Sequence, residues 1–263
     1  MKKLKLNDIE LAYRDEGSGQ PIIFLHAFPL NQTMWDDQVT AFSSTHRVIT
    51  FDWRGFGASD VGKSGSNLTV FADDVAELLN HLEIECATIC GLSMGGYAAF
   101  AFYRKHADRI KALILCDTRA TADTEEGKKA RFEMVDVARQ QGTSAIMEKM
   151  VPKLLGETTL QTRPQIIENV KQMIQAAQPE GIAQALIGMA NRPDSTELLP
   201  EITCPTLFVV GNEDKLTPPS DAQTMNTAIG LSQLRVVNNA GHLPNLEDPL
   251  AFNRAVSDFL KSV

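Results

Sequence analysis

Ser93 lies in the segment GLSMG, residues 91–95, and is the residue of this sequence best placed to act as a nucleophile. The β-branched and apolar residues 87–90 precede the segment, and a helix-favouring run, residues 96–101, follows it. A serine at such a strand-to-helix turn has a strained backbone that exposes its hydroxyl at the edge of a sheet. The free N–H groups at the start of the next helix favour an oxyanion there. The segment therefore predicts acyl transfer through a serine nucleophile.

A serine hydroxyl needs a base to act as a nucleophile, and the base needs a carboxylate that fixes its tautomer. We expect His242 to be the base, because it follows the last apolar run of the chain in the small-residue loop 238–244. His26 follows an apolar run and is better suited to orienting a loop. The remaining three histidines lie among polar residues and are expected on solvated faces: His46, His81 and His106.

For the carboxylate we favour Asp214, which follows the apolar run 206–210. Glu213 and Asp117 remain alternatives, the second because it directly follows the preceding apolar run. The chain order Ser93, Asp214, His242 is that of serine hydrolases built on an open parallel sheet. The three residues would then meet at the carboxyl ends of three strands.

Composition narrows the class of protein. The chain has 263 residues, is 43% hydrophobic and carries a formal net charge of -8. No apolar run reaches the ~20 residues of a membrane span, and residues 1–8 lack the apolar block of a secretory signal. No dense cluster of Lys or Arg could follow a phosphate backbone. We expect a soluble cytoplasmic enzyme that binds neither nucleic acid nor membrane.

The four cysteines show no paired spacing and have no neighbouring histidines that would indicate a metal site. Each lies in or beside an apolar run, so we expect reduced core residues. We therefore predict no metal and no cofactor. The cysteines are Cys86, Cys90, Cys116 and Cys204.

The apolar pattern predicts the elements that would position these residues. Residues 3–6 and 9–13 indicate a hairpin that turns at Asn7-Asp8. Six short apolar runs follow and are typical of parallel strands buried on both faces. Helical stretches, among them residues 69–81 and 249–260, alternate with them. The sequence predicts an α/β fold with a mostly parallel, eight-stranded, doubly wound sheet; the six runs are residues 21–25, 47–51, 86–90, 112–116, 206–210 and 234–237.

Residues 118–192 break this alternation, because they contain no strand-like run and only helical stretches separated by glycine or proline. We expect them to form a helical cap over a hydrolytic core made of residues 1–117 and 193–263. A separate helical domain without contact to the site is the alternative. Arg163 and Arg192 could face a substrate carboxylate, but we expect them to be solvated helix ends.

Several segments together resemble the α/β-hydrolase family, in its esterase, lactonase and cofactor-free haloperoxidase-like branch. The resemblance implies that the N–H groups of Phe28 and Met94 form the oxyanion hole. Ala27 stands where the family usually has glycine. Residues 211–219 and 241–249 are similar to those of 3-oxoadipate enol-lactonases. The segments that carry the resemblance are residues 26–29, 52–59, 91–96, 211–219 and 240–249.

The resemblance implies a serine hydrolase that cleaves a small carboxylic ester or lactone through an acyl-enzyme. Two alternatives share the same triad: a carbon–carbon bond hydrolase and a perhydrolase-like enzyme. A third, of another class, is a ligand-binding signalling module with slow turnover. Ser93 argues against dehalogenases and epoxide hydrolases, which have aspartate at the nucleophile position.

Overall fold

The computed structural model describes residues 1–6, 8–63 and 67–263. These residues form one eight-stranded sheet with helices around it. In chain order the strands are β1 (Lys2–Leu6), β2 (Ile9–Glu16), β3 (Gln20–Leu25), β4 (His46–Phe51), β5 (Ala87–Leu92), β6 (Ile110–Cys116), β7 (Thr206–Gly211) and β8 (Ser232–Val237).

The strands lie in the order β1-β2-β4-β3-β5-β6-β7-β8. β1 and β2 pair antiparallel, with Leu6 opposite Ile9, and β2 pairs antiparallel with β4. Every pairing from β4 to β8 is parallel. The sheet is therefore mostly parallel, as predicted. Asn7, part of the predicted turn, lies outside the described residues.

In the described part of the chain, six α-helices flank the sheet; α1 packs on β4, and α2 packs against α3. Helices cover both faces of the sheet, and all six residues of its central strand β5 are therefore buried. This is the environment that near-continuous apolar strands require. The six helices are α1 (Asp36–Phe42), α2 (Leu68–His81), α3 (Met94–His106), α8 (Pro219–Ala228), α9 (Pro244–Glu247) and α10 (Pro249–Leu260).

Four helices occupy the interval between β6 and β7, and α4 packs against both α6 and α7. Gly142 interrupts the first of them with a φ of 76°. Pro164 and Pro179 each begin a helix, where their missing N–H costs no hydrogen bond. The four are α4 (Glu125–Leu154), α5 (Glu157–Thr162), α6 (Pro164–Gln175) and α7 (Pro179–Ala190).

Two expectations about burial are wrong. In β8 only Val237 is buried, because this strand forms the edge of the sheet and has a neighbour on one side only. Cys86 is exposed, because it precedes β5 instead of lying in it, and Cys204 is half-buried. Cys90 and Cys116 are buried as expected, and all four cysteines are free.

Within residues 1–6, 8–63 and 67–263, no helix combines the length and the apolar character needed to cross a membrane.

Candidate active site

Ser93 forms the turn between β5 and α3, with φ 55° and ψ −112°. Positive φ is costly for a residue with a side chain, so neighbouring contacts must hold this conformation. The Ser93 N–H donates to the Cys116 carbonyl at 2.9 Å, and the Thr118 hydroxyl donates to the Ser93 carbonyl at 2.9 Å. Both contacts come from the end of β6, which fixes the turn against the neighbouring strand.

The glycines around Ser93 are required by close approach of other groups. A Cβ on Gly91 would collide with the Gly95 carbonyl, and a Cβ on Gly95 would collide with the Leu25 carbonyl. At Gly96 it would lie 2.5 Å from the Thr118 hydroxyl. The spacing of small residues in this segment is thus set by the tight turn and the packing of α3 on the sheet.

His242 and Asp214 are hydrogen-bonded at the same edge of the sheet. The Nδ1 of His242 lies 2.8 Å from Asp214 Oδ2, and both side chains are buried. Asp214 follows β7, and His242 follows β8. The Thr217 hydroxyl donates to Asp214 Oδ2 at 2.6 Å, and the Leu216 N–H donates to Oδ1 at 2.8 Å. These contacts fix the carboxylate plane toward the imidazole.

The charge of Asp214 is stabilised where it lies. Burial alone would raise the pKa of this carboxyl, but the attraction of His242 and the hydrogen bonds from His242 and Thr217 outweigh burial. The net result is a pKa below the ordinary value. Asp214 is therefore ionised at neutral pH and can hold His242 in the tautomer that leaves Nε2 free to accept a proton.

Ser93 and His242 line the same cavity, which has a volume of about 240 Å³. The inserted helices supply much of its apolar wall. Its charged lining includes Lys153, which has no ion-pair partner in the described part of the chain, and Arg131, which pairs with Asp123. The wall side chains from the inserted helices include Met134, Met150, Leu154, Leu186 and Met189.

The residues expected to form the oxyanion hole adjoin this cavity. Phe28 lines it, and Met94 begins α3 directly after Ser93. In the described part of the chain, neither backbone N–H donates to a protein acceptor. Both groups are therefore free to donate to a substrate oxygen, and their role as oxyanion donors stays a prediction.

The alternative acids have other partners. Glu213 accepts from the N–H and the hydroxyl of Thr158, at 2.9 and 2.5 Å. Asp117 accepts from the Gly211 N–H at 2.9 Å and is buried beside Asp214. Of the three candidates, Asp214 is the one that hydrogen-bonds His242.

His26 has the structural surroundings that its position suggested. Its Nε2 accepts from the Trp53 N–H at 2.9 Å, and its Nδ1 lies 3.0 Å from the Ala27 carbonyl. Complete burial lowers the pKa of His26 to about 4, although the charge of Asp52 opposes this. His26 is neutral at physiological pH and ties the loop after β3 to the loop after β4.

The expectation that Arg192 is a solvated helix end is wrong. Its side chain is buried, stacks over the Tyr97 ring at 4.1 Å and pairs with Asp123 at 2.7 Å. Asp123 also pairs with Arg131, so one carboxylate holds two guanidinium groups beside the cavity. Arg163, which is half-buried, donates to the Glu247 carbonyl. Tyr97 and Asp123 are far from Arg192 in the sequence, and Glu247 is far from Arg163, so the local sequence pattern could not reveal these contacts.

Asp117, Asp214 and His242 offer three atoms within 4.8 Å of one another, a spacing that could suit a metal ion. The Nδ1 of His242 already hydrogen-bonds Asp214, and Asp117 is engaged by the Gly211 N–H. In this cluster the Nδ1 of His242 and one oxygen of each carboxyl group are thus already engaged in hydrogen bonds.

Sequence reasoning missed Thr217 and Glu247. Thr217 contacts both Asp214 Oδ2 and His242 Nδ1, and its place three residues after Asp214 was the available signal. Glu247 accepts from the Gly241 and Leu243 N–H groups on either side of His242. Glu247 lies five residues after His242, but this spacing alone could not show whether the carboxylate is buried or on the surface.

The chain belongs to the alpha/beta hydrolase fold family, which its residues 20–249 match. It is 30% identical over 260 residues to 3-oxoadipate enol-lactonase 2 of Acinetobacter baylyi, covering 98% of this chain and 96% of that protein. It is 31% identical to a putative non-heme chloroperoxidase of Synechocystis, over 96% of this chain and 95% of that protein.

Among solved structures, it is similar to a thermophilic esterase from Thermogutta terrifontis determined with malate bound. The two share 43% sequence identity and superpose with a TM-score of 0.97, over 100% of this chain and 99% of the other. The predicted α/β-hydrolase fold and its resemblance to esterases and lactonases are confirmed.

Proposed function

We propose that the protein is a serine hydrolase that cleaves a small carboxylic ester or lactone. Ser93 attacks the carbonyl carbon while His242 accepts the hydroxyl proton, and Asp214 orients His242 and stabilises its charged form. The N–H groups of Phe28 and Met94 donate to the oxyanion. His242 returns the proton to the leaving alkoxide, and it then activates the water that releases the acid and restores Ser93.

One observation carries this proposal: His242, which is hydrogen-bonded to Asp214, lines the same cavity as Ser93, a serine with positive φ. Hydrogen bonds with Cys116 and Thr118 hold the Ser93 backbone in this strained conformation. Strain of this kind concentrates at functional sites.

The substrate class is supported by the cavity and by the relatives. A volume of about 240 Å³ suits a small substrate, below the ~300–1,000 Å³ typical of pockets for drug-sized ligands. The names of the compared proteins include an enol-lactonase and an esterase. We therefore assign small esters or lactones to this site, and not esters with large acyl chains.

We also propose the division into a core, residues 1–117 and 193–263, and a cap, residues 118–192. The inserted helices supply side chains to the cavity of Ser93, which supports a cap in contact with the site. The core supplies the nucleophile, acid and base, and the cap shapes the substrate cavity.

The test compares the Ser93→Ala and Ser195→Ala variants in hydrolysis of short-chain nitrophenyl esters and a simple lactone. Ser195 is a matched control because it is buried and does not line the cavity of Ser93. We expect Ser93→Ala to lose at least about 10³-fold in kcat while keeping the wild-type Tm, because the nucleophile is gone. Undiminished turnover by Ser93→Ala would overturn the proposal.

A further inference from the structure

Asp117 is a buried carboxyl group that the mechanism above does not use. It follows β6, its N–H donates to the Val209 carbonyl at 3.0 Å, and its Oδ1 accepts from the Gly211 N–H at 2.9 Å. Its Oδ2 is buried and has no assigned donor in the described part of the chain. A buried carboxylate oxygen without a donor is costly, so this atom requires an explanation.

The neighbouring carboxyl group of Asp214 explains why Asp117 Oδ2 has no donor. A carboxyl oxygen of Asp117, a carboxyl oxygen of Asp214 and a ring nitrogen of His242 all lie within 4.8 Å of one another, so the two carboxyl groups are direct neighbours in one buried cluster. Two carboxylates this close in a buried site cannot both ionise, because each would raise the energy of the other's charge. A proton between them removes the repulsion and turns the unpaired oxygen into a hydrogen-bond donor.

The contacts decide which residue holds the proton. Asp214 faces His242 and accepts from the Thr217 hydroxyl and from the N–H groups of Leu216 and Thr217. Asp117 accepts one N–H, and no cation pairs with it among the described residues. The titratable groups facing Asp117 are Asp214, the His242 imidazole and the Cys116 thiol. The negative charge is therefore better stabilised on Asp214.

We propose that Asp117 is a protonated positioning residue that donates a hydrogen bond from its carboxylic acid to Asp214. The pair carries one negative charge, and the triad gains a fourth member that holds the Asp214 carboxylate. The catalytic importance of this contact rests on the proposed function, whereas the shared proton can be tested without any substrate.

The pKa shifts of the two carboxyl groups agree with this assignment. Burial, and then the charge of Asp214, raises the pKa of Asp117 well above its ordinary value. The pKa of Asp214 is lowered, because His242 and its hydrogen bonds outweigh burial. Opposite shifts in adjacent carboxyl groups are typical of a pair in which one is acid and the other is base.

The first test is an infrared difference spectrum of the wild type against Asp117→Asn at pH 8. We expect the wild type to show the carbonyl stretch of a protonated carboxylic acid and the variant to lose it. Asp194→Asn is the matched control, because Asp194 is exposed and its pKa is lowered, so this substitution should leave the band unchanged. An unchanged band in Asp117→Asn would overturn the proposal, whether or not the protein hydrolyses esters.

The second test is the acid limb of the pH profile of kcat/KM, which reports protonation of the base in the free enzyme. Asparagine keeps a neutral donor toward Asp214 and an acceptor for Gly211, so we expect the limb to stay within about 0.2 pH units of the wild type. If Asp117 were ionised, Asp117→Asn would remove a negative charge near His242 and move the limb down by about one unit or more.

Asp117→Ala separates positioning from simple packing. Without a hydrogen bond from residue 117, the negative charge of Asp214 is less delocalised, so it stabilises protonated His242 more strongly. We expect the acid limb to move up by about half a unit. A purely structural role would lower Tm without moving the limb, and that result would overturn the proposal. If Asp117→Asn does not fold, the wild type is labelled with ¹³C at its aspartate carboxyls. The carbonyl band of the protonated acid must then shift, and an unshifted band overturns the proposal.

Discussion

His26 and His242 are both buried at the edge of the sheet, and their partners give them different roles. His242 faces the Asp214 carboxylate, whereas His26 accepts a backbone N–H from Trp53. A cation on His26 would lose that hydrogen bond in addition to its hydration, so burial lowers its pKa to about 4. The residue that resembles a second base is therefore a neutral structural link.

This low pKa predicts a pH dependence of stability. The unfolded chain protonates His26 near its ordinary value of 6.5, whereas the native state resists protonation down to about 4. Stability from His26 is therefore complete above pH 6.5 and is lost as the pH falls toward 4, by about 3 kcal/mol in total. Urea unfolding of the wild type between pH 7 and 4 measures this loss.

Replacing His26 by Gln isolates the effect, because the Gln amide oxygen can accept from Trp53 without titrating. We expect His26→Gln to lack about 3 kcal/mol of the acid-dependent destabilisation. His81→Gln, at an exposed histidine, should keep the wild-type slope. Equal slopes in the wild type and His26→Gln would show that His26 is not the group responsible.

Among the elements, two glutamates connect the start of α5 to the loops that carry Asp214 and His242. Glu213 accepts from Thr158 in the first turn of α5. Glu247 accepts from the Gly156 N–H at 2.8 Å, and also from Gly241 at 2.8 Å and Leu243 at 3.2 Å. Only Glu247 therefore holds the backbone on both sides of His242 while it holds α5.

Substitution of these two glutamates should separate the two effects. Glu247→Ala leaves three buried N–H groups unpaired, so we expect a loss of about 2–4 kcal/mol in the free energy of unfolding. Because the loop of His242 is released, kcat should also fall by about 10- to 100-fold. Urea unfolding and steady-state kinetics measure the two changes.

Glu213→Ala is the matched control, since it removes the contact with α5 and leaves the loop of His242 held. We expect a loss of about 1 kcal/mol and a kcat close to that of the wild type. A similar fall in kcat for both variants would mean that turnover depends on the contact with α5, and not on the hydrogen bonds that hold the loop of His242.

At the scale of the whole molecule, α7 meets the loop after β4 through two glycines. A Cβ on Gly181 would lie 2.5 Å from both the Cα and the carbonyl oxygen of Gly55. The Gln178 N–H also donates to the Gly55 carbonyl at 2.9 Å. The inserted helices therefore approach the core by direct backbone contact at this point, which leaves no room for a side chain.

Gly181→Ala should consequently destabilise the protein, although Gly to Ala in a helix usually stabilises by about 0.5–1 kcal/mol. Forcing the two backbones apart should cost about 1–3 kcal/mol, measured by urea unfolding. Gly127→Ala is the matched control, because Gly127 is also the third residue of its helix and its Cβ would meet nothing closer than 3.4 Å. Stabilisation by Gly181→Ala would contradict the close contact.

The sequence was most informative where a residue's role depends on its neighbours in the chain. The strands, the turn at Ser93 and the loops of Asp214 and His242 follow from apolar runs and small residues that lie next to each other. The burial of Arg192 could not be predicted, because it depends on Tyr97 and Asp123, which lie far along the chain. The edge position of β8 likewise depends on strand order, which the apolar pattern does not encode.

Active-site labelling tests whether Ser93 is a nucleophile activated by His242. The protein is treated with a fluorophosphonate, and the adduct is counted by intact mass and located by peptide mapping. We expect one adduct on Ser93, none there in Ser93→Ala, and labelling slowed by about 10³-fold or more in His242→Gln. Labelling of another residue, or ester hydrolysis without any adduct on Ser93, would contradict the role proposed for Ser93.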